Sequence, residues 1–147
     1  MISPELLRRY PHFTPIDEES LKQLAMICSE RVYEPGQILF EDHEPADYLY
    51  VIVKGEVDLH YTLGSGEQRS IDTLVDGDLI VWSALVEPYR TTASGTAVKR
   101  TEVLAIEAAP LRDLCEQNTE LGYRLMTQVA KALANRLEGA RVQLAAI

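Results

Sequence analysis

The sequence predicts a mainly β domain, a jelly roll or barrel with helices at both ends. Three observations predict it. Between residues 31 and 107, apolar residues fall in short runs with a period of two, separated by turns rich in glycine and proline. On either side the period lengthens to three and four, as on amphipathic helices. The length, 147 residues without internal repeat or low-complexity linker, suits one self-sufficient core. The expected organisation is a single domain over 1–147, with N-terminal helices in 1–30, the β-roll in 31–107 and C-terminal helices in 108–147.

The elements follow in order. Leu6 and Leu7 mark a short helical start that ends at Tyr10-Pro11. Asp17 is placed to cap a second helix with acids in its first turn; Leu21, Leu24, Ala25, Ile27 and Cys28 give its apolar face, ending near Ser29. Val32 and Tyr33 then lead through Pro35-Gly36 to a strand at Ile38-Leu39-Phe40. Tyr48 to Val53 is a strong strand of aromatic and β-branched residues, Val57 to Tyr61 alternates apolar with polar, and Gln68 to Val75 is a strand with Ile71 and Leu74 inward. Val103 to Ile106 is a further strand, paired across the charged turn at Lys99-Arg100. From Ala108 the chain is helical, with Leu111, Leu114 and Cys115 on one face. Asn118 or Thr119 caps a long helix to about Ala145, on which Gly122, Met126, Val129, Leu133, Leu137, Ala140 and Leu144 recur at intervals of three and four. Such a helix outreaches a roll of this size, so its far half calls for a partner, most simply the same helix of a second copy.

Charge excludes one class of partner. A net charge of −9 repels polyanions, so nucleic-acid binding is not expected. Glu41, Asp42, Glu44 and Asp47 form the densest acidic patch, read as a solvated loop. The 2 cysteines, Cys28 and Cys115, lie far apart without a CxxC pair; they read as buried packing in a reducing compartment. Neither a signal peptide nor a membrane-length apolar run is evident, which implies a cytoplasmic protein and no membrane partner. His12, His43 and His60 are dispersed without an HxH pair, and no nucleophile–base constellation or glycine-rich P-loop is visible. The expectation is a protein with no catalytic residue, no metal and no cofactor.

The stretch Gly77 to Ala97, GDLIVWSALVEPYRTTASGTA, has the makings of an anion corner. Asp76-Gly77-Asp78 forms a turn and Leu79 to Trp82 an apolar segment. Ser83 to Val86 reads as a short helical turn broken by Pro88, with Ser83 as N-cap and the amides of Ala84, Leu85 and Val86 free to meet an anion. Arg90 adds a planar fork of donors suited to phosphate, and the small residues after it let a ligand approach the backbone. The competing reading has Arg90 paired with an acidic residue, tying the loop down. Trp82 has two readings as well, a packing residue or a platform for a ligand ring.

The layout is similar to the cyclic nucleotide-binding domain, the domain of the catabolite activator and its relatives, kinase regulatory subunits and gated channels. Three stretches carry the resemblance, in the family's order. The first is Gly36-Gln37-Ile38-Leu39-Phe40 with Asp47-Tyr48-Leu49-Tyr50-Val51-Ile52-Val53-Lys54-Gly55-Glu56-Val57; the second is Asp76-Gly77-Asp78; the third, Arg90-Thr91-Thr92-Ala93, looks like the Arg-Ser/Thr-Ala of the phosphate-binding cassette. The resemblance implies a double-stranded β-helix jelly roll with a long C-terminal helix, the helix whose length already calls for a homodimer. It implies a non-catalytic sensor or regulatory module for a cyclic nucleotide such as cAMP or cGMP, or another small phosphate ligand. The ligand-contacting residues it implies are Trp82, Ser83, Ala84, Leu85, Arg90, Thr91 and Thr92.

Three departures narrow this. Where the family carries Gly-Glu, the Glu holding the ribose 2′-hydroxyl, this chain has Val81 and Trp82. An indole cannot accept that hydrogen bond, and a lost clamp costs about 10²-fold or more in affinity. Trp82 to Arg90 is also about a residue shorter than usual. His43 replaces a turn glycine, which histidine tolerates better than most residues. The DNA-reading motif of the activator group follows the long helix, and this chain stops at Ile147, so DNA reading is not expected of it. The alternative function is a ligand-free domain acting as a homodimerising interaction scaffold.

Overall fold

A computed structural model describes all residues, 1–147. Eight strands form two four-stranded antiparallel sheets: β1 (Cys28–Tyr33), β2 (Ile38–Phe40), β3 (Tyr48–Lys54), β4 (Glu56–Thr62), β5 (Gln68–Val75), β6 (Leu79–Ile80), β7 (Ser94–Ala97) and β8 (Thr101–Glu107). One sheet runs β1-β8-β3-β6 and the other β2-β7-β4-β5. Except for the β4–β5 hairpin, successive strands pass from sheet to sheet, which makes the pair a jelly roll. The near-continuous apolar runs of β3 and β8 are the central strands of the first sheet, buried on both faces. At the turn between β3 and β4, a Cβ on Gly55 would lie 2.6 Å from the Thr101 Cα, and its φ is +142°, so only glycine fits there.

Helices α1 (Pro4–Arg8) and α2 (Glu18–Met26), with a 3-10 turn at Pro11–Phe13 between them, precede the roll; α3 (Ala108–Gln117) and α4 (Thr119–Ala145) follow it. Asp17 caps α2 by accepting from the Ser20 amide at 3.2 Å, and Asn118 caps α4 by accepting from Leu121 at 3.1 Å, both as the sequence predicts. Asn118 also donates to the Ser20 hydroxyl at 2.8 Å, joining the two helical ends. Leu7, Phe13, Leu21, Leu24, Leu111, Leu121 and Leu125 share one apolar core with the strands. Its 27 buried residues are the fold's main source of stability, since apolar burial outweighs every other favourable contribution.

Several elements differ from the sequence reading. The second helix stops at Met26, so Cys28 is buried as the first residue of β1 and not on a helix face. Ile71 is not inward: it is the extra residue of a bulge, since Leu59 pairs with Asp72 while His60 pairs with Ser70. The same slip buries His60 and leaves Tyr61 exposed, contrary to a plain alternation. β8 pairs with β1 and β3 and not across Lys99-Arg100, because that turn carries the chain from one sheet to the other.

In α4 the buried residues, Leu121, Gly122, Leu125 and Val129, all lie in the first half. Leu137, Val142 and Leu144 are 57%, 63% and 71% exposed. With 27 residues the helix runs about 40 Å, so its far half extends along the roll with an apolar stripe uncovered.

Candidate functional site

The Asp76-Gly77-Asp78 turn is fixed from several sides. Gly77 has φ +87° and donates to the Ile52 carbonyl at 2.7 Å. Asp76 accepts from the Gly55 amide and Asp78 from the Val75 amide, each at 2.8 Å. Leu79 and Ile80 then pair with β3 as the buried edge strand. Val81 follows in the left-handed region, φ 64° and ψ 55°, a conformation that costs an L-residue about 1–2 kcal/mol. This backbone explains why glycine stands there in the motif that the sequence resembles.

The helical turn differs from expectation. It is a 3-10 turn at Trp82–Ala84, and its N-cap is Val81, not Ser83, whose hydroxyl caps nothing. Two amides expected to be free are used within the turn: Ala84 donates to Val81 at 3.0 Å and Leu85 to Trp82 at 3.1 Å. Tight 3-10 bonding closes on the residue three back, so a turn this short consumes its own donors. Ser83 and Ala84 are buried, Trp82 and Leu85 half-buried against the core. Arg112 of α3 donates to the Ala84 carbonyl at 2.8 Å and stacks its guanidinium 4.2 Å above the Tyr89 ring.

Arg90 is exposed, and its guanidinium donates to the His43 carbonyl. The ion pairs of the fold are His60–Asp58, Arg69–Glu67, Arg100–Glu34 and Arg100–Glu102; no acidic side chain pairs with Arg90. Thr91 is 4% exposed, and its hydroxyl donates to the Glu41 carbonyl at 2.5 Å and accepts from the Glu44 amide at 3.1 Å. Its backbone bonds to His43 and Glu44. Ser94 accepts from the Asp42 amide at 3.0 Å. The acidic loop at 41–47 is therefore stitched to the cassette and not merely solvated. Thr92 is exposed. His43 has φ 58°, the left-handed conformation expected of it.

Beneath the cassette lies a cavity of about 170 Å³, bordered by Val81 and Thr91 and, from the strands, by Arg31, Tyr33, Tyr48 and Tyr50. The Arg31 guanidinium sits 4.0 Å above the Tyr48 ring. Burial, and then the neighbouring Tyr33, pushes the Tyr50 phenol above its ordinary value. Sequence reasoning missed Arg31, although Arg31 and Tyr33 alternate with the exposed Val32 on β1 and so face the same side. It missed Arg112 as well, for which no local pattern exists. The three histidines are dispersed over the 3-10 turn, the acidic loop and β4, and no group of three His, Cys, Asp or Glu side chains could hold a metal ion. No helix is long and apolar enough to cross a membrane.

Comparison with known proteins gives a consistent picture. The cyclic nucleotide-binding domain family matches residues 30–118. The crystal structure of a Geobacter metallireducens protein described as cyclic nucleotide-binding is 36% identical, with TM-score 0.86, over 93% of this chain and 99% of that one. The catabolite activator protein of Thermus thermophilus is 27% identical with TM-score 0.70, over 91% of this chain and 61% of that one. Among curated proteins, a CRP-like cAMP-activated global transcriptional regulator of Mycobacterium tuberculosis is 21% identical over 129 residues, 88% of this chain. The match spans 58% of that regulator's length. The family match alone spans more than half of the chain: the chain belongs to the cyclic nucleotide-binding domain family.

Proposed function

We propose that this chain is a non-catalytic sensor module that binds a cyclic nucleotide or another small phosphate ligand at the cassette around Arg90, and that it works as a homodimer through the far half of α4. The observation that carries the ligand reading is the state of Arg90: exposed, at the centre of the cassette, without an acidic partner. A carboxylate would have neutralised it. A backbone carbonyl is a neutral partner, and a charge-assisted bond to phosphate is about twice as strong as a neutral one, so the exchange is favourable. Trp82 and Thr92 are open enough to meet the rest of the ligand. Thr91, Ser83, Ala84 and Leu85 act on the cassette's shape, because their polar groups are already paired or buried. The Mycobacterium tuberculosis relative is cAMP-activated by its description, which makes cAMP the first ligand to try.

Titration calorimetry with cAMP, cGMP and a panel of other nucleotides tests the reading. Heat that disappears in Arg90→Ala supports it. No heat with any of them overturns it and leaves the second reading, a ligand-free dimerising scaffold. That alternative is favoured by one specific observation, the consumption of the Ala84 and Leu85 amides inside the 3-10 turn.

A further inference from the structure

The cavity of about 170 Å³ lies between β1 and β2, the edge strands of the two sheets, and the start of β3. Val81 and Thr91 border it, but Trp82, Arg90 and Thr92, the cassette residues open to solvent, do not. Pockets for drug-sized ligands begin at about 300 Å³, so this one suits a molecule smaller than a nucleotide.

Arg31 brings to it a charge that no side chain of the fold neutralises. Arg90, Arg112 and Arg136 each hold a backbone carbonyl, whereas Arg31 holds none and pairs with no carboxylate. Its neighbours are the phenols of Tyr33 and Tyr48, with the Tyr48 ring 4.0 Å from the guanidinium. Burial keeps the Tyr50 phenol protonated, so it supplies no counter-charge. A half-buried guanidinium has five N–H donors, and a carboxylate takes two of them in parallel.

The opposite charge stands at the rim. Glu44 and Asp47 border the cavity, are exposed, and form no ion pair. With Glu41 and Asp42 they put four carboxylates within seven residues. That rim repels a plain carboxylic acid and favours a ligand that also carries a cation. Between the two charges the wall is apolar: Phe40 stacks on Tyr50, ring centroids 6.2 Å apart, with Ile38 and Leu39 beside them.

We propose that this cavity binds a free α-amino acid with an apolar side chain. Its carboxylate lies on Arg31 and the phenols of Tyr33 and Tyr48, its ammonium against Glu44 and Asp47, and its side chain on Phe40 and Tyr50. The site shares only Val81 and Thr91 with the cassette, and it stands apart from the reading of Arg90.

The test is calorimetry of the intact chain with L-valine, L-leucine and L-phenylalanine, then with the deaminated and the decarboxylated forms of whichever binds best. The expected result is saturable heat with at least one amino acid, and a loss of about 10-fold or more for each truncated form. Arg31→Met should weaken binding by about 10- to 100-fold, the range for a lost hydrogen bond to a charged group. Glu44→Gln combined with Asp47→Asn should weaken the amino acid but not its deaminated form, and Arg90→Ala should change neither. The truncated ligands are tried on the wild-type chain, so the outcome does not depend on whether Arg31→Met folds. No heat with any of the three amino acids overturns the proposal. So does a truncated form that binds as tightly as the amino acid, and so does binding that survives Arg31→Met or vanishes in Arg90→Ala.

Discussion

Thr91 offers the sharpest test of how the cassette is held. Its side chain is 4% exposed, and its hydroxyl bonds to the Glu41 carbonyl and the Glu44 amide. Thr91→Val keeps shape and volume but leaves a donor and an acceptor unpaired. At about 1–1.5 kcal/mol for each group left unsatisfied, the bottom of the range for buried groups because the loop is only part-buried, the cost for the two is about 2–3 kcal/mol. Thr91→Ser keeps the hydroxyl and loses one methyl, about 0.8 kcal/mol of burial with a small cavity cost. Serine should therefore be the milder change by about 1–2 kcal/mol, although valine is the closer match in shape. Urea unfolding of the three proteins, with slopes compared to check that each unfolds in the same way, measures this. If valine proves as stable as threonine, or more stable than serine, the hydroxyl bonds do not hold the loop and the cassette's rigidity has another source.

Other outcomes follow from single contacts. Gly55→Ala should cost about 3 kcal/mol or more, because the added Cβ meets the backbone of Thr101 at 2.6 Å; thermal unfolding checks it, and a near-neutral result refutes the strand geometry there. Leu137→Glu, at a site already 57% exposed, should leave chain stability within about 0.5 kcal/mol while abolishing dimers in light scattering. A wild-type chain that stays monomeric sinks the dimer reading. Burial pushes the Cys28 thiol up from 9.0 to about 12, and raises Cys115 too, so in the folded protein both stay protonated at pH 8. Labelling by iodoacetamide should then follow unfolding. Because the unfolded thiols ionise first, their contribution to stability is constant well below pH 9 and declines as pH rises from there toward 12. A rapid native reaction of Cys28 at pH 8 would contradict this burial.

Most of the roll is legible in the sequence because strands and helices carry different apolar periods, and those periods reflect burial. β2 and β5 fall where the alternation and turn residues put them, as do the caps Asp17 and Asn118. What the periods conceal is register. Ile71 and Leu74 are an odd number of residues apart, so both cannot face inward on a regular strand, and the bulge resolves the conflict by ejecting Ile71. The cassette is less legible for another reason. Whether an amide is free depends on whether the turn closes at three residues or four, and Ser83-Ala84-Leu85 does not encode that choice. The reach of Arg90 to His43, and of Thr91 to Glu41 and Glu44, joins residues 47 to 50 apart, which no local pattern records.

The C-terminal helices meet the site through two arginines that grip one short segment. Arg136 on α4 holds the carbonyl of Leu79, and Arg112 on α3 holds that of Ala84. Between them lies Val81, the residue in the left-handed conformation. A displacement of the segment between them moves at least one of the two carbonyls. Each arginine then follows its carbonyl or loses the bond, and a lost bond leaves a desolvated carbonyl at a cost of about 1–3 kcal/mol. Motion in the segment 79–84 is therefore coupled to α3, to α4, or to both, by direct contact and without an intermediary chain of residues. The uncovered stripe of α4 begins where that grip ends, so whatever sets the position of Arg136 also sets where the stripe lies.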